Sequence, residues 1–294
     1  MTLPAHRAHV RVGSTIVTYL PDGHGIHPAA ATFPDADWTA YPDQLDDEGR
    51  LTLSFGAFLL EAGERRILVD LGVGAVDVEL PGGGGAVGGA LLKNLAEVGL
   101  SADDIDTVVF THLHLDHVGW TTDVPPHPVD PAERAPAGLT FRNARHRVAE
   151  AEWAYWTRTG GWGAPDRRVV LEPLSGVVEF LRDGETIAPG ITVHATPGHT
   201  PGHLAVAVAD PDRPEAERVL IVGDILHSAV QVAEPDWSFA TDVDPGRALA
   251  VRRDVLATPD AVLAAGHVTG HVFGRVERTA SGTVWAPVFD GGGA

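Results

Sequence analysis

Cysteine is absent from this chain of 294 residues, which excludes disulfides and thiolate metal sites and leaves imidazole and carboxylate as the strong metal donors. Lysine occurs once, at Lys93, and lysine and arginine together number 21 against 40 aspartates and glutamates. No basic stripe exists to follow a phosphate backbone, so nucleic acid is not an expected partner; the dispersed acids and the net charge of -19 read as a solvated surface. Nor is there a run of about 18 apolar residues to span a bilayer. The opening MTLPAHRAHVRVGST lacks the basic-then-apolar pattern of a secretory signal, and the expectation is a cytoplasmic protein with no membrane partner. The glycine run from Pro81 to Gly89 lacks Walker spacing and reads as a surface loop rather than a phosphate nest.

With 44% hydrophobic residues the chain can bury a substantial core. We read residues 1–294 as a single α/β domain, with 1–50 as an N-terminal extension that packs on it, covers a pocket or meets a second subunit in a homodimer. Strands are expected over 51–60 and 66–69, then a helix over 90–98, a Ser101/Asp104 cap and a buried strand over 107–110. The proline-rich stretch 125–136 reads as irregular, 139–141 as a short strand, and 143–158 as a helix carrying Trp153, Tyr155 and Trp156. Further strands are expected at 177–181, 191–194, 204–208, 219–222 and 261–265, with a helix at 247–256. The second series repeats the first in outline, which suggests an internally duplicated sandwich.

The chemistry is concentrated in THLHLDHVG, residues 111–119, directly after the apolar run Val108-Val109-Phe110. In an extended segment residues two apart face the same side, so His112 and His114 can offer nitrogens to one cation. Asp116 and His117 follow where a bend points them at a neighbouring position, and Gly119 lets the backbone pass close by. Two cations about 3.5–4 Å apart are a known hydrolytic device. Three more polar residues end apolar strands: His199 in ATPGHTPGH, Asp224 in VLIVGD and His267 in AVLAAGH. Asp70 ends another. His203 reads as a hydrogen-bonding residue of the His199 turn, and His6, His9, His24, His27, His127, His146 and His194 have no spacing that singles them out.

HLHLDH, GHTPGH, the GD strand end and the late GH together resemble the metallo-β-lactamase-fold hydrolases, over about Leu51 to His267. The resemblance implies an αβ/βα four-layer sandwich with its metal site at one edge of two sheets. It implies that His112, His114 and His199 hold one divalent ion, that Asp116, His117 and His267 hold another, that Asp224 bridges them, and that Asp70 orients ligands. Zinc is the expected metal, with manganese, cobalt or iron also suited. Two cations, two carboxylates and a bridging hydroxide would leave the first shell near +1, ready for an oxyanion.

The missing cysteine ligand and the presence of Asp224 set the chain apart from the β-lactamases, and His114 sets it apart from the diiron HxExDH branch. Val10 to Gly23, GDILHSAVQV and Pro235-Asp236-Trp237 resemble the branch with methyl parathion hydrolase and acyl-homoserine lactonases. That resemblance implies a lactone or related ester as substrate and gives Asp116 a proton-transfer role toward the leaving group. A thioesterase of the glyoxalase II kind, a phosphotriesterase, and a metal-holding protein without catalysis are the alternatives. Trp153, Trp156, Trp162, His227 and His271 are the candidate pocket residues.

Overall fold

The computed structural model describes residues 2–79, 83–126, 135–280 and 282–289. One mixed sheet contains Ala8–Val12 (β1), Thr15–Pro28 (β2), Arg50–Ala62 (β3), Arg65–Val69 (β4), Asp77–Glu79 (β5), Gly85–Val87 (β6), Thr107–Val109 (β7), Arg145–Ala149 (β8) and Val178–Leu181 (β9). Its order is β5-β6-β2-β3-β4-β7-β8-β9, with β1 paired to β2. The second sheet runs in sequence order from Thr186–Ala188 (β10) through Ile191–Ala195 (β11), Leu204–Ala209 (β12), Arg218–Ile221 (β13), Ala261–Ala264 (β14) and Phe273–Thr279 (β15) to Gly282–Pro287 (β16). Among the described residues the α-helices are Ala29–Thr32 (α1), Leu91–Glu97 (α2), Glu150–Trp156 (α3), Glu172–Leu174 (α4) and Pro245–Leu256 (α5).

Alternation along the strands builds the layers, because successive side chains of a strand point to opposite faces. Phe58, Leu60, Ile67, Val69 and Val109 turn inward and meet Ile191, Val193, Val206, Val219, Ile221 and Val262 of the other sheet. Leu59, Leu68 and Val108 turn outward against Leu91 and Leu95 of α2 and Trp156 of α3. On the far side Leu263 and Val222 pack with Val251 and Val255 of α5. Helices, sheet, sheet and helix make four layers, the architecture expected from the motifs.

A common arrangement recurs in the two sheets. β3 pairs antiparallel with β4, which pairs parallel with β7; β12 pairs antiparallel with β13, which pairs parallel with β14. Asp70 follows β4 where Asp224 follows β13, and His112 follows β7 where His267 follows β14.

Several local expectations are corrected. The helix read over 143–158 is strand β8 followed by the shorter α3. β8 lies parallel between β7 and β9, buried along most of its length, so it shows no polar alternation, and its alanine-rich continuation carries helix propensity. In place of a strand at 139–141 there is a single bridge between Thr122 and Leu139. The glycine run contributes β6, while its residues 81–82, His127 and most of the proline-rich stretch lie outside the described residues. The first fifty residues supply β1 and the long β2, which pairs with β3 from Ile16 to Pro28. Among the described residues no helix is long and apolar enough to cross a membrane.

Candidate metal centre

Parallel pairing brings the carboxyl ends of β4 and β7 to one edge, and those of β13 and β14 likewise, so the loops that follow share a common rim. The chain after β7 must turn sharply to bring His117 back beneath His112. Gly119 permits this: a Cβ there would lie 2.0 Å from the carbonyl carbon of Val73.

His112, His114, His199 and Asp224 present donor atoms that all lie within 4.8 Å of one another, as do Asp116, His117 and His267. In the first group His114 Nδ1 stands 3.0 Å from His112 Nε2 and 2.9 Å from His199 Nε2. In the second, His117 Nε2 is 3.3 Å from His267 Nε2, and Asp116 Oδ2 is 3.7 Å from each. Asp224 lies between the two. Its Oδ2 is 3.1 Å from His199 Nε2 and 3.5 Å from His112 Nε2, whereas its Oδ1 is 3.0 Å from both His117 Nε2 and His267 Nε2. The seven residues named from the sequence are therefore brought together.

The donor set fits divalent cations. Burial, then neighbouring imidazoles, holds His112 and His114 well below the usual histidine pKa, so both are neutral and each keeps a ring lone pair to offer a cation. Imidazole nitrogen together with carboxylate oxygen suits zinc and its first-row neighbours. Asp224 is pushed up by burial, but the imidazoles around it prevail and hold it well below the carboxylate range.

A second ring of contacts fixes the donors. Asp70, in the left-handed region at φ 63°, accepts from the Thr111 backbone N–H and hydroxyl at 2.8 Å and bonds His117 Nδ1 at 2.9 Å. The backbone O of Ser54 holds His267 Nδ1 at 2.9 Å. His203 lies outside these donor groups; its Nε2 accepts the Asp224 backbone N–H at 3.0 Å, and burial drives its pKa down to about 3. His227 Nε2 bonds Asp224 Oδ2 at 3.0 Å, its ring stacks on Phe239, and it forms a further donor group with Asp224 and His267.

Sequence reasoning missed three residues here. Asp242 bonds His199 Nδ1 at 2.8 Å, Glu152 lies beneath the histidine loops, and His27 lines the cavity in front of them. None has a local spacing signal, since each acts on residues far away in the chain.

That cavity, of about 480 Å3, opens over Asp116, Asp224, His227 and His267 and is walled by Leu53, Phe55, Val73, Val76, Val78 and Phe239. Trp162, 64% exposed, stands at its rim with Gly163. Trp153, Trp156 and His271 are not part of the lining. Trp153 packs in the outer helical layer, Trp156 is drawn beneath His114 with ring centroids 5.3 Å apart, and His271 lies against Phe289.

A sequence profile of the metallo-beta-lactamase superfamily matches residues 57–267. The chain is 28% identical over 163 residues to a probable metallo-hydrolase of Mycobacterium bovis, covering 51% of each. It is 26% identical over 170 residues to an N-acyl homoserine lactonase of a Bacillus species, covering 54% of this chain and 59% of that one. The matched stretch thus spans about half the length of these relatives. Among solved structures, AidC, a dizinc quorum-quenching lactonase in complex with a product, shares 23% identity with a TM-score of 0.78 over 98% of this chain and 99% of its own. The hydrolase AbOPH shares 24% with a TM-score of 0.75 over 97% and 98%. These likenesses show the fold.

Proposed function

The chain belongs to the metallo-β-lactamase superfamily, and from that premise we propose that it is a dinuclear metal-dependent hydrolase that opens a lactone, or cleaves a related neutral ester, bearing an apolar tail. The observation that carries this reading is the cavity. Two adjoining donor groups face a pocket whose described lining contains neither lysine nor arginine. Burying an alkyl tail against Leu53, Phe55, Val76 and Phe239 is favourable by about 25 cal/mol per Å2, whereas an anionic tail would enter without a cationic partner. This disfavours a glutathione thioester. The similarity to N-acyl homoserine lactonases points the same way.

Of the residues, His112, His114, His199 and Asp224 would hold one cation, and Asp116, His117, His267 and the other oxygen of Asp224 the second. When bound, such cations lower the pKa of coordinated water toward about 7 and polarise the carbonyl under attack. The protein supplies the rest. Asp70 and Asp242 orient His117 and His199, and the His227 contact fixes the Asp224 carboxylate. Phe55 and Phe239 keep the tail side dry. Asp116 belongs to the second donor group and also lines the cavity, which suits it to carry a proton to the departing oxygen. A cytoplasmic setting, which the lack of cysteine fits, belongs to the same proposal.

Parallel assays of the zinc-loaded protein on a long-chain acyl lactone, a glutathione thioester and an aryl phosphotriester test it. Turnover of the lactone is expected to dominate; turnover of the thioester alone, or of the phosphotriester alone, would replace the assignment.

A further inference from the structure

Helix α3 carries a buried acid that takes no part in the proposed reaction. Glu152 is 0% exposed, and its carboxylate accepts four hydrogen bonds. Oε1 takes the Leu113 backbone N–H at 3.0 Å and Trp156 Nε1 at 2.7 Å; Oε2 takes the Thr200 hydroxyl at 2.6 Å and the Gly202 backbone N–H at 3.0 Å. Leu113 sits between His112 and His114, and Thr200 directly follows His199. One carboxylate therefore joins the loop after β7 to the loop between β11 and β12.

The fit around it is close. A Cβ on Gly202 would lie 2.1 Å from the backbone N of Glu152, so the first turn of α3 rests on the His199 loop without intervening atoms. Its neighbour Trp156 packs on the His114 ring. No comparable bond runs from Glu152 to the loop segment carrying Asp116 and His117, or to His267.

We propose that Glu152 is a positioning residue that sets the spacing of His112, His114 and His199, and thereby governs cation affinity at that donor group selectively, leaving the Asp116, His117 and His267 group unaffected. The inference rests on the dinuclear reading above. A residue that only stabilises the fold would act otherwise: its loss would lower thermal stability and weaken both groups alike, or neither. Glutamine in its place retains the volume but has only one acceptor oxygen, and its NH2 would face donors already present on one side.

The test uses the full-length protein loaded with zinc and titrated with a chromophoric chelator, comparing wild type, Glu152→Gln and the milder Thr200→Val. Cobalt loading gives a visible spectrum as a second readout. Wild type should release two ions in two steps. In Glu152→Gln one step should occur with affinity lowered on the order of tenfold while the other stays in place, in line with the usual effect of altering groups behind metal ligands. Thr200→Val should shift the same step by less, and the cobalt spectrum should change in one component only. Equal shifts of both steps, or none, in a folded variant would overturn the proposal while leaving the metal centre intact. If Glu152→Gln does not fold, Thr200→Val decides by the same criterion. Failure of wild type to take up zinc would overturn the dinuclear reading, and this inference with it.

Discussion

Asp242 Oδ1 lies 2.8 Å from His199 Nδ1, on the side of the ring opposite the Nε2 that faces His114 and Asp224. The carboxylate fixes which ring nitrogen carries the proton and directs the other lone pair into the donor group. Its second oxygen is 3.7 Å from the guanidinium of Arg252, which is itself 1% exposed. Asp242→Asn should therefore weaken zinc binding by about 10–100-fold. Asp242→Ala should in addition leave a buried cation without its carboxylate and cost on the order of 3 kcal/mol. Chelator competition and urea unfolding measure the two effects, and a variant unchanged in both would remove Asp242 from the site's support.

Metal uptake should release protons. Burial draws the His199 pKa down, but Asp224 and then Asp242 outweigh it and lift it to about 9; His117 is raised in the same way by Asp224, Asp116 and Asp70. At pH 7 the metal-free protein holds these imidazolium protons, which must leave when a cation binds. Apparent zinc affinity should thus rise with pH up to about 9. For folding the sign is opposite. The contribution of His199 to metal-free stability is fully present below its ordinary pKa near 6.5 and is lost as pH rises through 9. Calorimetric zinc titrations in buffers of different protonation enthalpy read the release directly, and heats independent of buffer would contradict it.

Acid stability should depend on a histidine outside the proposed metal centre. His146 on β8 is 0% exposed, and burial, only partly offset by the Ala144 backbone, pushes its pKa down to about 4. Because the unfolded chain takes a proton near 6.5, the stability gained by keeping this ring neutral is complete above that pH and erodes as pH falls toward 4. The loss is on the order of 3 kcal/mol. His146→Leu should flatten this part of the pH dependence in denaturant titrations; an unchanged slope would place its origin elsewhere.

Gly119→Ala should destabilise by about 1–3 kcal/mol, since its Cβ would meet backbone of Val73 and Gly74, at 2.0 and 2.1 Å, rather than a side chain able to move. Urea midpoints measure this, and a neutral substitution would show that the loop carrying His117 has room to shift.

What the sequence disclosed follows the range of the interactions. HLHLDH is legible because its donors are local and their spacing matches one extended segment and a turn. His199, Asp224 and His267 are legible because each lies in the loop just after an apolar strand, and strand ends gather at one rim. Asp242 and Glu152 are not, because their partners His199 and Leu113 lie 43 and 39 residues away and no periodicity links them. β8 was obscured by burial on both faces. β2 was obscured by Pro21, Gly23 and Gly25, which interrupt the alternation and include the irregularity in its pairing with β3. Of the three tryptophans named as candidate pocket residues only Trp162 faces the cavity, since helical packing claims Trp153 and Trp156.

Counting divalent ions per chain in the wild type and in Asp224→Ala, alongside turnover of a long-chain acyl lactone, probes the centre most directly, because Asp224 offers one oxygen to each donor group. The account predicts two ions in the wild type, at most one in the variant, and loss of turnover with the missing ion. An Asp224→Ala protein that keeps both ions and full activity would contradict it.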